Sequence, residues 1–283
     1  MTVAVPTSLN DALVAVAQNP EAQIIQGGTD LMVEINFNRR KPTDVIALRR
    51  VLELRAWSIA TDGSTINIGA GLPYMQMEGD PIARLVPALA QAARTVGSPQ
   101  IRAAGSIGGN LGTCSPAGDA LPVLSALDAI VHLRSSSGAR NISVHEFMVG
   151  VKRNARAPDE IIVSVTMPIV TGWQGYAKVG VRNAMVISIA SCCLVVDRAN
   201  SVIRVALGAV GPTIIRCRET ESWLASQLDL SSVAAVSANL LKEFGDRVAQ
   251  EAKPIDDHRS TAAYRRHAVS TLAKRLLMRA NSQ

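Results

Sequence analysis

Apolar positions recur in two rhythms along the chain of 283 residues. Leu9, Leu13 and Val16 fall three to four apart. That spacing lines one helix face and predicts a helix over 9–17, capped by Thr7 or Ser8. The pair Ile24-Ile25 predicts a short strand, 30–37 a helix, and 45–48 a strand after Pro42; this first lobe ends near residue 56. A second lobe over 59–168 carries predicted strands at 66–69, 129–133 and 161–167, with helices over 86–96 and 121–127. Thr171-Gly172 and Gly175 punctuate the start of a third block. That block predicts strands at 176–181, 187–196 and 203–210, and helices at 219–227, 231–248 and 261–280. Neither internal repeats nor low-complexity tracts interrupt this order.

Two glycine-rich turns stand out against it: Gln26-Gly27-Gly28-Thr29-Asp30-Leu31, and Gly105-Ser106-Ile107-Gly108-Gly109-Asn110. Adjacent glycines lack Cβ atoms, so backbone there can take positive φ and approach a ligand closely. Successive N–H groups in such turns form an anion-binding concavity. A Gly-Gly pair alone is ordinarily only a turn, but two of them suit a diphosphate joined to something larger. The second turn leads on to Thr113 and Ser115, whose hydroxyls share a side if the segment is extended, and to Asp119, which can accept from sugar hydroxyls. The usual dinucleotide fingerprint is missing: Gly69-Ala70-Gly71 has Tyr74 where a third glycine belongs, and no P-loop run occurs.

Composition narrows the classes. Hydrophobic residues make up 48% and aromatics 3%, so packing rests on Ala, Val, Leu and Ile, and an apolar chain of this kind often buries surface against partner subunits. No apolar run approaches the ~18 residues of a membrane span, and no basic-plus-apolar leader opens the chain, so the expected location is the cytoplasm. The formal charge of +6 is largely local. Arg259, Arg265, Arg266, Lys274, Arg275 and Arg279 crowd the segment from 259 to the end, in and just before the last predicted helix, with no acidic residue among them. Without aromatic interleaving this reads as a helix face or a subunit contact, with Arg265 and Arg266 as candidates for the contact, rather than as a nucleic-acid site. Cys114, Cys192, Cys193 and Cys217 have neither zinc nor iron–sulfur spacing and read as buried thiols; Cys192 and Cys193 would face opposite sides of a strand. His132, His145, His258 and His267 form no ligand pattern.

Taken in order, the motifs resemble the flavin-binding subunit of the molybdenum hydroxylases, the xanthine dehydrogenase and carbon monoxide dehydrogenase family. Gly27-Gly28-Thr29-Asp30-Leu31 resembles its first flavin loop, and Ser106-Ile107-Gly108-Gly109-Asn110 its second. Ser115-Pro116-Ala117-Gly118-Asp119, Pro122, Glu160-Ile161-Ile162, Tyr176-Ala177-Lys178 and Tyr264-Arg265-Arg266 match the family's later motifs, so the likeness spans nearly the whole chain. It implies an α+β fold: a two-lobed FAD-binding domain of the vanillyl-alcohol-oxidase type over 1–168, with lobes 1–57 and 58–168, then a C-terminal domain over 169–283 with a three-stranded sheet and helices. It implies FAD between the lobes, contacted by Ile25, Gln26, Gly27, Gly28, Thr29, Asp30, Leu31, Ser106, Ile107, Gly108, Gly109, Asn110, Thr113 and Ser115. Asp119 would meet the ribose–adenine part, Ile162 the adenine end through its backbone, and Lys178 the flavin side.

No residue is assigned a catalytic or metal-binding role. The 2Fe-2S clusters and molybdopterin are expected on an iron–sulfur small subunit and a molybdenum large subunit, in a dimer of heterotrimers, with FAD passing electrons to an external acceptor. Some positions depart from the family. Val96 stands where xanthine dehydrogenases carry an aromatic that stacks on the flavin, and Met185 and Val186 replace an acidic pair, which argues against NAD as acceptor. Gln26 replaces the usual Ala and reads as neutral. The alternatives are a self-contained FAD oxidoreductase, which lacks a substrate domain, and a non-catalytic assembly protein, against which both intact turns argue.

Overall fold

A computed structural model describes residues 2–230 and 236–282. Its first sheet has three parallel strands, Thr2–Ala4, Asp44–Ala47 and Gln23–Ile25, with Asp44–Ala47 in the middle. Parallel neighbours need crossovers. The helix Leu9–Gln18 supplies one and Leu31–Asn36 the other. Ser8 caps Leu9–Gln18 by accepting from Asp11 N at 3.1 Å. Ala12, Leu13 and Val16 bury its apolar stripe against Ile46, Leu48, Val51 and Leu54. The first glycine turn comes directly after Gln23–Ile25, at the carboxyl end of a parallel strand, where α/β sheets place their ligands.

The second sheet has five antiparallel strands in the order Trp57–Ile59, Thr65–Gly69, Ile161–Pro168, Ile130–Ser135 and Gly138–Ser143. Ile66, Ile68, Val131, Leu133, Val165 and Met167 alternate onto one face, where Leu89, Ile107, Leu111, Leu121 and Leu124 from the helices close the core. The helix expected over 86–96 begins later, as Pro87–Thr95, after a separate short helix Ile82–Leu85. Val86 precedes a proline and sits at φ −134° and ψ 69°, outside the helical region, as the ring behind it demands. Pro87 then starts the next helix, where its missing N–H costs nothing.

The last sheet has four antiparallel strands, Gly172–Val179, Ala190–Asp197, Val202–Gly208 and Ile215–Arg216, the fourth a two-residue addition to the three expected. Every residue of Ala190–Asp197 is buried, because both faces of the sheet are covered. Tyr176, Cys193, Val195 and Ala206 pack into the same core as Pro87–Thr95 and Ala120–Ala126. Cys192, Leu194 and Val196 face the helices Ala238–Glu251 and Ala262–Ala280. The two cysteines thus point to opposite faces, as the strand period requires. The first five positions of the helix expected over 231–248 lie outside the described residues; the remainder starts at the cap Ser237, whose Oγ accepts from Leu240 N at 3.2 Å.

Charged groups tie this sheet to the preceding one. Arg216 donates to Ser125 O at 2.8 Å and to Asp128 at 2.6 Å, and Arg204 reaches Asp128 at 3.1 Å. Burial pushes the Asp128 carboxyl up, but hydrogen bonds from His145 and Arg216 and the charges of both arginines hold it well below the usual range. Arg265 corrects an expectation. It is buried, and it donates to Ile189 O at 3.0 Å, Ala209 O at 2.7 Å and Asp257 at 2.6 Å. It fastens the ends of two strands to the last helix and is no surface for a partner; Arg266 is exposed.

Candidate cofactor-binding site

A cavity of about 590 Å³ opens where the first sheet meets the second. Both glycine turns line it, as do all the other expected contact residues except Ile107 and Lys178. The turns touch back to back: a Cβ on Gly27 would fall 1.9 Å from the Ala104 carbonyl oxygen, so only glycine lets them meet. Gly28 has φ +71°. From residue 27 to residue 31, no backbone N–H donates to a protein acceptor among the described residues. This run of free amides, at a strand end and leading into a helix, is an anion cradle.

The second turn works differently from the expectation that both are amide concavities. Ser106 caps a helix, Ile107–Thr113, and its Oγ accepts from Gly109 N at 3.1 Å. Gly108 N donates to Ala70 O at 2.8 Å and Asn110 N to Ser106 O at 3.0 Å. These amides are satisfied internally. The glycines matter here for shape: a Cβ on Gly108 would lie 2.5 Å from Ala70 Cβ, while one on Gly109 meets nothing closer than Ser106 Oγ at 3.4 Å. Gly108 is a packing glycine and Gly109 a cavity glycine.

Because residues 107–113 are helical and Cys114 turns left-handed at φ 49°, Thr113 and Ser115 do not share one side of an extended segment. Both line the cavity nonetheless. Thr113 Oγ1 donates to Asp30 Oδ2 at 3.2 Å and clips the two turns together. The hairpin of Met148–Gly150 and Arg153–Asn154 borders the opening: Asn154 Nδ2 donates to Gly112 O at 2.8 Å, and Lys152 reaches Glu34 at 2.5 Å.

Asp119 lies at the wall, buried, and accepts from Tyr176 OH at 2.8 Å, Ser188 Oγ at 2.6 Å and Lys178 Nζ at 2.7 Å. Lys178 Nζ also donates to Thr95 O at 2.9 Å and Val186 O at 3.1 Å, which engages all three of its donors within the protein. Lys178 therefore braces the cavity from behind. Through Val186 it anchors the loop between Gly172–Val179 and Ala190–Asp197, whose Met185, Val186 and Ile187 line the cavity together with Val96. Val96, Met185 and Val186 thus all belong to the cavity wall, and none of them carries a charge.

Sequence reasoning missed several lining residues: Tyr74, Lys152, Asn154 and Arg156. The only signal for Tyr74 was its place after Gly69-Ala70-Gly71. Three buried side-chain atoms along this lining have no protein partner, namely Gln26 Oε1, Tyr74 OH and Asn110 Oδ1. Buried polar atoms are ordinarily hydrogen-bonded. An anion cradle, orphaned polar atoms and a volume within the ~300–1,000 Å³ usual for ligand sites all fit a nucleotide cofactor.

Known proteins agree. Residues 1–170 match the model of the FAD binding domain in molybdopterin dehydrogenase, and residues 176–280 that of the CO dehydrogenase flavoprotein C-terminal domain. The putative xanthine dehydrogenase FAD-binding subunit XdhB of Escherichia coli (strain K12) is 29% identical, over 96% of this chain and 93% of its own length. The 6-hydroxypseudooxynicotine dehydrogenase complex subunit alpha of Paenarthrobacter nicotinovorans is 30% identical, over 92% and 87%. Among solved structures, the carbon monoxide dehydrogenase of Hydrogenophaga pseudoflava that lacks the Mo-pyranopterin moiety superposes with a TM-score of 0.87 at 25% identity, covering 100% of this chain and 97% of the matched one. The chain belongs to the FAD-binding medium subunits of the molybdenum hydroxylases, a family of oxidoreductase subunits.

Proposed function

We propose that FAD binds in the 590 Å³ cavity with its diphosphate on the amides of residues 27–31, and that the chain thereby relays electrons between a partner's iron–sulfur clusters and an external acceptor. The observation that carries this reading is the run of free amides beside a glycine, Gly109, whose Cβ position opens into the same cavity. Bound FAD exchanges single electrons with clusters and an electron pair with an acceptor. The chain's own residues bind and orient. Gly27 and Gly28 bring the backbone close, and Thr113 to Asp30 holds the two turns at a fixed separation. Ile25, Gln26, Thr29, Leu31, Ser106, Gly108, Asn110, Ser115, Asp119 and Ile162 complete the wall. Met185, Val186 and Val96 line one part of it and offer no charge to a nicotinamide, which argues against NAD as the acceptor.

The same reading divides the chain into a FAD-binding domain over 1–168 and a second domain over 169–283. It places the clusters on an iron–sulfur small subunit and molybdopterin on a large subunit, in a dimer of heterotrimers. The four cysteines of this chain are buried and free. They suit the reducing cytoplasm, and no described helix is long and apolar enough to cross a membrane.

The test is release and reconstitution. Denaturing the purified complex should free one flavin per chain that chromatographs as FAD. The isolated chain, reloaded with FAD, should be reduced by a chemical donor yet oxidise no organic substrate until the other subunits are added. Recovery of FMN, flavin retained on the denatured polypeptide, or substrate oxidation by the isolated chain would overturn the assignment.

A further inference from the structure

Tyr74 opens the short helix Tyr74–Met77 on the floor of the cavity. Its N–H donates to Gly105 O at 3.0 Å, and its ring packs so closely on Gly105 that a Cβ there would lie 3.4 Å from Cδ2. The side chain is only 3% exposed, and its hydroxyl has no protein partner. Beside it, Gln26 lies against Gly71, where a Cβ would come within 2.9 Å of Nε2, and its Oε1 is buried and unpartnered. Gln26, Tyr74 and Asn110 come from three separate segments, yet all three line the one cavity and each holds a buried oxygen without a protein partner. Leaving such groups unpaired is costly, and the arrangement is paid for only if something in the cavity pairs with them.

The chemistry of that partner comes from the atoms. A diphosphate offers acceptors alone, so the amide oxygens Gln26 Oε1 and Asn110 Oδ1 cannot be satisfied by it. They need O–H or N–H groups, which the sugar-alcohol and ring portions of a flavin dinucleotide carry. Tyr74 can serve either way. Burial, and after it the charge of Asp119, pushes its phenol well above the ordinary range, so it keeps its proton and remains a donor.

We propose that Tyr74 is a binding residue for the flavin nucleotide, its hydroxyl hydrogen-bonding the hydroxyl- or N–H-bearing part of the ligand, with Gln26 as a second contact beside it. This rests on FAD being the occupant of the cavity and goes beyond the glycine turns.

The experiment compares the full-length chain with its Tyr74→Phe and Gln26→Leu variants. FAD affinity is titrated by flavin fluorescence, and the thermal midpoint is measured on the FAD-free chain. Tyr74→Phe should weaken FAD binding about 5- to 10-fold, the loss of one hydrogen bond. The midpoint of the FAD-free variant should hold or rise, because an orphaned buried hydroxyl has been removed. Gln26→Leu should show the same opposed pair of effects. A purely structural role moves affinity and midpoint down together. Binding within about twofold of wild type, or a loss that only tracks a lowered midpoint, overturns the proposal. If the wild-type chain itself takes up no FAD, the functional assignment has failed, and that result is distinct from a wild type that binds and a Tyr74→Phe variant that binds equally well.

Discussion

Two adjacent glycines in the second turn should fail in opposite ways. At Gly109 an added Cβ meets only Ser106 Oγ, at 3.4 Å, and otherwise projects into the cavity. Gly109→Val therefore has room at its Cβ, unlike a substitution at Gly108. Within the helix Ile107–Thr113, valine is slightly better than glycine, by a few tenths of a kcal/mol on the ~0–1 kcal/mol scale of ordinary residues. The isopropyl group instead occupies space that the cofactor backbone needs. Overpacking a fitted site costs about 1–3 kcal/mol, which is roughly 5- to 150-fold in affinity. At Gly108, by contrast, a Cβ would lie 2.5 Å from Ala70 Cβ and 2.7 Å from Ala70 O. Backbone cannot swing away as a side-chain end can, so the segments around Ala70 and Gly108 must separate, which also strains the hydrogen bond from Gly108 N to Ala70 O. Gly108→Ala should cost about 2–3 kcal/mol of folding stability, or roughly 4–12 °C in a protein of this size. The assay is flavin content by absorbance beside thermal unfolding of the FAD-free chain. Gly109→Val should lose most of its flavin at an unchanged midpoint, and Gly108→Ala should lose stability first. Full flavin occupancy in Gly109→Val would show that the cofactor does not pass over this turn, and the placement argued from the cavity would be wrong.

Other perturbations test the buried charges and thiols. Lys178→Met removes the cation from a pair with Asp119 in which both side chains are under a tenth exposed; stranding the carboxylate should cost about 3–5 kcal/mol in chemical denaturation. Asp119→Asn in the same chain should recover part of that loss, and no recovery would show that the ion pair is not the source. Hydrogen bonds from Arg140 lower Glu160 and one from Lys152 lowers Glu34, as His145 and Arg216 do for Asp128 against the opposing effect of burial. Carboxyls lowered on folding stabilise above their unfolded pKa near ~4 and cease to do so as pH falls toward the folded value. The thermal midpoint should thus be level from about pH 8 to 5 and drop below about pH 4; a midpoint equal at pH 5 and pH 3 would refute this. Burial pushes the Cys114 thiol up to about 11 and Cys192 up to about 12. No cysteine should react with a thiol reagent at pH 8 in the native protein, and all four should react once it is unfolded.

What the sequence determined by itself was local and periodic. Ser8 marks a helix start because a cap needs only a hydroxyl near the first free amides. The opposite facings of Cys192 and Cys193 come from the two-residue period of a strand. Both glycine turns were legible because positive φ and close approach leave a compositional mark. Part of the site's outline could be read for the same reason, since both turns line the cavity.

Tertiary structure decided the rest. Gly108 and Gly109 look alike in sequence, and only the presence of Ala70 behind one and open space behind the other separates their roles. Asp119 and Lys178 were expected as separate cofactor contacts; folding pairs them across about 60 residues of sequence and adds Tyr176 and Ser188 to Asp119, which still lines the cavity. Arg265 carries the same charge as its neighbour Arg266, yet helix rotation and the ends of two strands bury one and leave the other in water. Tyr74 was marked in the chain only by its place after Gly69-Ala70-Gly71, because a polar atom becomes an orphan only when folding removes water from it and brings no partner. Propensity and period act between residues a few positions apart. Burial and pairing act between segments far apart in sequence, and at this site they decide which residues line the cavity.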